Sequence, residues 1–146
     1  MKLKYILPGI LILIFEMFFL SSCKTDQYKN IRETDREPVI EPDYSGVTIP
    51  RNIAPMNFII KEDGNSFRIT ATSTSGSHLS IRSSDGIVRF PERSWKKLLK
   101  DNQGGKIQIE ISSENKDRSL TKFNPVYLYV AQEPIYPYLC YRLLYP

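Results

Sequence analysis

The chain has 146 residues, of which 25% are charged and 41% hydrophobic, with a formal net charge of +4 and two cysteines. That length accommodates one domain of ordinary size with a real core, and two would not fit comfortably. The basic excess is mild and contains no block of consecutive cations, which argues against a nucleic-acid surface.

Lys2 and Lys4 open the chain, an apolar run occupies residues 6–20, and Leu20-Ser21-Ser22-Cys23 follows. A cationic flank, a short apolar core and small residues, in that order, predict a secretory signal. A spanning helix needs about 20 apolar residues, and Glu16 inside the run opposes it because a carboxylate at the bilayer centre is costly. Leu20-Ser21-Ser22-Cys23 resembles the lipobox of bacterial lipoproteins. The resemblance implies that residues 1–22 are removed and that the Cys23 thiol carries the lipid that holds the protein to a membrane. The expected location is the bacterial cell envelope, the outer membrane before other membranes, with the periplasmic or surface face left open.

Removal of the signal leaves 124 residues and a side-chain charge of +3. With Cys23 lipidated, Cys140 has no partner within the chain, and no intramolecular disulfide is available. Residues 23–42 are polar and charged, with Asp26, Lys29, Arg32, Glu33, Asp35, Arg36 and Glu37, and such a stretch cannot bury enough surface to order itself. It is expected to be a flexible tether. Residues 43–146 then form the domain. Pro50 and Pro55 impose extended backbone on the residues before them, which predicts an irregular lead-in.

Alternation with a period of two follows. Met56, Phe58 and Ile60 share one face, as do Phe67, Ile69 and Ala71, and Asp63-Gly64-Asn65 between them is expected to make a hairpin turn. Leu79 and Ile81 alternate with His78, Ser80 and Arg82, and Ser84-Asp85-Gly86 marks a turn before Val88 and Phe90. Pro91 suits a first helical turn, Trp95, Leu98 and Leu99 fall on one helical face, and Gly104 is a stop. Ile107, Ile109 and Ile111 alternate with Lys106, Gln108 and Glu110, and a last strand runs from Pro125 to Val130. Six short strands and one helix predict a mainly β fold, a small antiparallel β-sandwich.

Six of the nine tyrosines lie in the last twenty residues. Tyrosine joins a broad apolar ring to a polar tip, which suits cores, interfaces and sugar-stacking surfaces alike. Tyr136, Tyr138, Tyr141 and Tyr145 are the candidate contacts for another protein or domain, with a glycan as the alternative ligand.

Four stretches carry a resemblance to a family: Pro42-Asp43-Tyr44-Ser45-Gly46-Val47-Thr48-Ile49-Pro50; Asn52-Ile53-Ala54-Pro55-Met56-Asn57-Phe58; Trp95-Lys96-Lys97-Leu98-Leu99 with Gly104-Gly105; and Glu133-Pro134-Ile135 with Tyr138-Leu139-Cys140-Tyr141-Arg142-Leu143-Leu144. Together they look like the N-terminal region of TolB-like β-propeller lipoproteins. In that family the Tyr-Arg-Leu segment leads into a propeller of repeated blades, so the resemblance implies a member truncated before the propeller. It further implies an envelope-associated binding or assembly role, and it transfers no active-site residue.

Catalytic chemistry finds little foothold. His78 is the only histidine, so a Ser-His-Asp triad would have to use it, and a His-rich metal site is not available within one chain. Gly104-Gly105-Lys106 lacks P-loop spacing, and Asp63-Gly64-Asn65 lacks the later carboxylate of a calcium loop. Asp85 with Glu92, or Glu110 with Glu114, are the acid pairs that a glycosidase-like site would draw on. The expectation is a binding protein without catalysis, cofactor or metal.

Overall fold

The computed structural model describes residues 28–136 and Tyr138. They form a small, mainly β domain of two sheets and one short helix. In chain order the elements are β1 (Asn30–Glu33), β2 (Ile40–Glu41), β3 (Thr48–Ile49), β4 (Phe58–Ile60), β5 (Ser66–Ser73), β6 (His78–Ser83), β7 (Ile87–Val88), α1 (Glu92–Lys100), β8 (Lys106–Glu114), β9 (Ser119–Lys122) and β10 (Val126–Val130).

Strand β8 organises the larger sheet. One edge pairs with β5 along its whole length, from Ser73 opposite Ile107 to Ser66 opposite Glu114. Its other edge is shared: β10 takes the first half and β9 the second. The two partners are separated at Phe123-Asn124-Pro125, where Pro125 has no N–H to give and the Asn124 N–H turns away to the Arg36 carbonyl at 2.9 Å. β6 extends the sheet beyond β5. Outside β9 and β10 lie β1 and β3, each running parallel to its neighbour. The larger sheet is therefore mixed, where an antiparallel one was expected. The smaller sheet has the order β2-β4-β7 and is antiparallel throughout.

Alternation places the core. Phe67, Ile69 and Ala71 of β5, Ile107, Ile109 and Ile111 of β8, and Val126, Leu128 and Val130 of β10 are buried on one face of the larger sheet. They join Ile40, Phe58, Ile60 and Val88 of the smaller sheet, together with Phe90 and the Trp95, Leu98 and Leu99 face of α1, in a single cluster. The opposite face of α1 is exposed and carries the Glu92–Lys96 ion pair at 2.6 Å, one turn apart.

Two further sequence expectations are corrected. The segment expected to be a tether holds β1 and β2 within its residues 28–42, whereas the expected irregular lead-in is irregular apart from the two-residue β3. β1 has no buried side chain, so its order comes from backbone pairing with β9, not from apolar burial. Ile40 of β2 is buried opposite Ile60. The Asp63-Gly64-Asn65 turn, expected to close a hairpin, instead joins β4 of one sheet to β5 of the other. Gly64 is needed there for space, because a Cβ would come within 2.9 Å of the Ser113 Cβ and 3.2 Å of the Phe67 ring. Residues 23–27 of the expected tether lie outside the described residues.

Candidate functional site

The candidate site forms where the chain leaves β10. The Ala131 N–H donates to the Ile49 carbonyl at 2.9 Å, so the chain leaves the sheet still paired with β3. Beyond it, the Asn52 side chain bonds the backbone of Ile135 twice. Its Nδ2 donates to the Ile135 carbonyl at 2.9 Å, and its Oδ1 accepts the Ile135 N–H at 2.7 Å. One amide thus does the work of a strand neighbour. Asn52 is presented by a turn closed by the Ile53 N–H to the Pro50 carbonyl at 3.2 Å. The loop after α1 supports the same end of the sheet: the Gly104 N–H reaches the Val130 carbonyl at 3.0 Å, and Arg51 donates to the Gln103 Oε1 at 3.1 Å.

The clamp leaves large apolar side chains in water. Ile135 is 54% exposed, Tyr136 83% and Tyr138 85%. Two of the four tyrosines expected to make contacts are therefore presented together on one short segment. Tyr141 and Tyr145 lie outside the described residues, as do Cys23 and Cys140. Ile135 and Asn52 escaped sequence reasoning: nothing in Arg51-Asn52-Ile53 signals that its amide will bond a backbone 83 positions later.

The other late tyrosines play different parts. Tyr127 and Tyr129 sit on the face of β10 away from the core, opposite Gln108 and Lys106. The Lys106 ammonium lies 4.6 Å from the Tyr127 ring centroid, a cation–π contact that occupies one ring face. Tyr44 packs against the core.

The residues weighed for catalysis are dispersed among ordinary partners. Asp85 accepts from the Ser83 hydroxyl and the Ile87 N–H, and these bonds hold its carboxyl below the usual range. Glu92 pairs with Lys96, Glu110 accepts from Gln108 at 2.8 Å, and Glu114 faces Arg82 at 3.9 Å. His78 is exposed at the start of β6, on a shallow recess of about 400 Å³ shared with Ser94 and Lys97. Among the described residues no group of three or more His, Cys, Asp or Glu could hold a metal ion.

The opposite end of the domain is built by the incoming chain. The Tyr28 hydroxyl accepts from Arg68 at 2.6 Å, and the Lys29 N–H donates to the Arg118 carbonyl at 3.1 Å. Further on, Arg36 makes a two-pronged ion pair with Glu62 at 2.6 and 2.7 Å and lies 5.2 Å from the Phe123 ring centroid. Glu62 also accepts the Val39 N–H at 2.7 Å. The Arg36 hydrogen bonds are the main reason that the Glu62 carboxyl is held below the usual glutamate range, and they outweigh the opposing effect of burial.

A pH dependence follows. The folded value of Glu62 is depressed, so its contribution is fully present above the unfolded value of about 4.3 and is lost as pH falls through the folded value. Glu62→Gln is expected to lower the melting temperature by a few degrees at neutral pH, with the gap to the wild type closing in acid. Thermal melts of both proteins across that pH range check this, and a gap that stays constant would remove the ion pair as its cause.

Comparison with protein-family models, with curated proteins and with solved structures finds no match for this chain. The geometry of the two ends, and not likeness to another protein, carries the functional argument.

Proposed function

We propose that this chain is a membrane-anchored envelope lipoprotein whose domain acts without catalysis, by docking another protein or a further domain. The observation that carries the reading is the clamped tail: Asn52 spends both of its polar groups on fixing a segment whose next side chains, Tyr136 and Tyr138, are more than four-fifths exposed. Ordering a segment costs conformational entropy. A preorganised aromatic pair lowers the entropic cost of association, because a tyrosine ring offers a large contact area through few rotatable bonds.

The two sheets around one apolar cluster suit a β-sandwich-like scaffold, which would hold the tail rigidly. The resemblance to the N-terminal region of TolB-like propeller lipoproteins supplies a natural occupant, a propeller domain meeting the tyrosine end. Cys23 would carry the lipid, and the envelope would be the compartment.

Replacing Tyr136 and Tyr138 together by Ser tests the docking. The wild-type protein is expected to self-associate as concentration rises, or to be captured by a separately expressed propeller of this family. The double variant should lose either association by at least about tenfold, since two truncated aromatic contacts are together worth more than 1.4 kcal/mol. A wild type that stays monomeric and binds no propeller, or a double variant that associates equally well, would remove the tyrosines as contacts.

The carbohydrate reading would use the same exposed rings of Tyr136 and Tyr138, since one face of Tyr127 is already covered by Lys106.

A further inference from the structure

The two ends of the larger sheet differ in kind, and strand direction decides which end the anchor reaches. β1 runs parallel to β9 with Asn30 opposite Ser119, and β9 pairs with the final residues of β8, Leu120 opposite Glu114. The incoming chain therefore meets the sheet at the end formed by the 115–118 turn. β10 finishes against the first residues of β8, Tyr129 opposite Lys106. The tail bearing Tyr136 and Tyr138 thus leaves from the other end. β8 has nine residues, which separates the two ends by about 27 Å at the usual rise of a strand.

The chain is held from its first described residue. Tyr28 is bonded to Arg68 and stacks near its guanidinium, 5.7 Å from ring centroid to Cζ. Lys29 is bonded to Arg118, the Thr34 N–H reaches the Lys122 carbonyl at 3.0 Å, and Arg36 is locked to Glu62. Only residues 24–27 separate Tyr28 from Cys23. At full extension that is a reach of at most about 18 Å, shorter than the sheet is long. A long free tether would let either end approach a membrane, and this reach does not.

On the lipoprotein reading of Cys23, we propose that the domain stands on its membrane with a fixed polarity, the 115–118 turn toward the bilayer surface and the tyrosine tail directed away from it. The near end is charged and exposed, as a surface resting against lipid headgroups requires: Lys29, Lys116 and Arg118 are exposed there beside the exposed acids Asp63, Asp85 and Asp117. Asp117 is occupied by the Ser119 N–H and hydroxyl at 3.0 and 2.7 Å, and strand direction and the short reach from Cys23, not net charge, set the polarity. The result is a stalk-free pedestal that presents its docking tail on the side away from the membrane.

Energy transfer tests the polarity in the full-length, lipid-modified protein with Cys140 replaced by Ser. A donor dye goes on Lys116→Cys or on Glu133→Cys, two exposed positions whose side chains make no bond among the described residues. The protein is placed in vesicles of phosphatidylethanolamine and phosphatidylglycerol with acceptor dye in the headgroup layer. Transfer from position 116 is expected to exceed transfer from position 133 several-fold. Inserting about twenty Gly and Ser residues between Gln27 and Tyr28, a coil about 25 Å across, should erase most of that difference. Equal transfer in a membrane-bound protein, or stronger transfer from position 133, overturns the polarity and leaves the anchor intact. A protein recovered only from the soluble fraction overturns the lipoprotein reading and the polarity together.

Discussion

Trp95→Ala is expected to lower folding stability by about 3–5 kcal/mol, the usual cost of emptying a large aromatic site. Trp95 is fully buried. It stacks on Phe90 with centroids 5.0 Å apart, and Phe90 in turn meets Phe58 edge-on at 6.1 Å. The ring thus ties α1 to the smaller sheet. A nine-residue helix is too short to persist by itself in water, so its order depends on this packing. Small domains are stable by only about 5–15 kcal/mol, and the alanine variant should sit near the edge of folding.

Trp95→Phe separates packing from polarity. The indole Nε1 is buried and has no hydrogen-bond partner among the described residues, so phenylalanine removes an unsatisfied donor and leaves only a partial cavity. Its cost should be less than half that of alanine. Urea unfolding followed by circular dichroism measures both variants, with the slope against denaturant reporting whether the unfolded surface changes. An alanine variant within about 1 kcal/mol of the wild type would mean that α1 is not integral to the core. Equal costs for the two variants would mean that the indole finds a partner in solution.

Cys23→Ser is expected to abolish lipid attachment outright. The modification makes a thioether at the side-chain sulfur, and a serine hydroxyl is no substitute for a thiolate nucleophile. In cells given labelled palmitate, the wild-type protein should carry the label and partition into detergent. The serine variant should carry none, while Cys140→Ser should be labelled as fully as the wild type. Label on the Cys23→Ser protein, or its absence from the wild type, would refute the anchor. The experiment also bears on the fixed polarity, which has no meaning without a lipid five positions before Tyr28.

The sites most exposed to these tests were unequally legible in the amino-acid order. Tyr136 and Tyr138 stood out by composition alone, as part of a tyrosine-rich end. Their exposure did not, because a tyrosine in a core and a tyrosine in an interface obey the same local preferences. The segment that holds β1 and β2 carries no local strand signal for a related reason. Its polar residues do not bury, and β1 is ordered by backbone bonds to β9, almost ninety positions away in the chain. β9 itself, Ser-Leu-Thr-Lys, is too short to display a period.

What the sequence by itself determined is the set of elements that bury one face. The alternation in β5, β8 and β10 and the i, i+3, i+4 spacing of Trp95, Leu98 and Leu99 are local periodicities, and an apolar face must be hidden wherever the chain folds. Only the tertiary structure decided how those elements pair and which ends meet. The division of β8 between β9 and β10, the switch of sheets at Gly64, the Asn52 clamp on Ile135 and the Arg36–Glu62 pair all join residues distant in sequence. Polar side chains and backbone amides bond whichever partner the fold delivers, so their pairing has no local signature, and the two ends of this domain are made of such pairs.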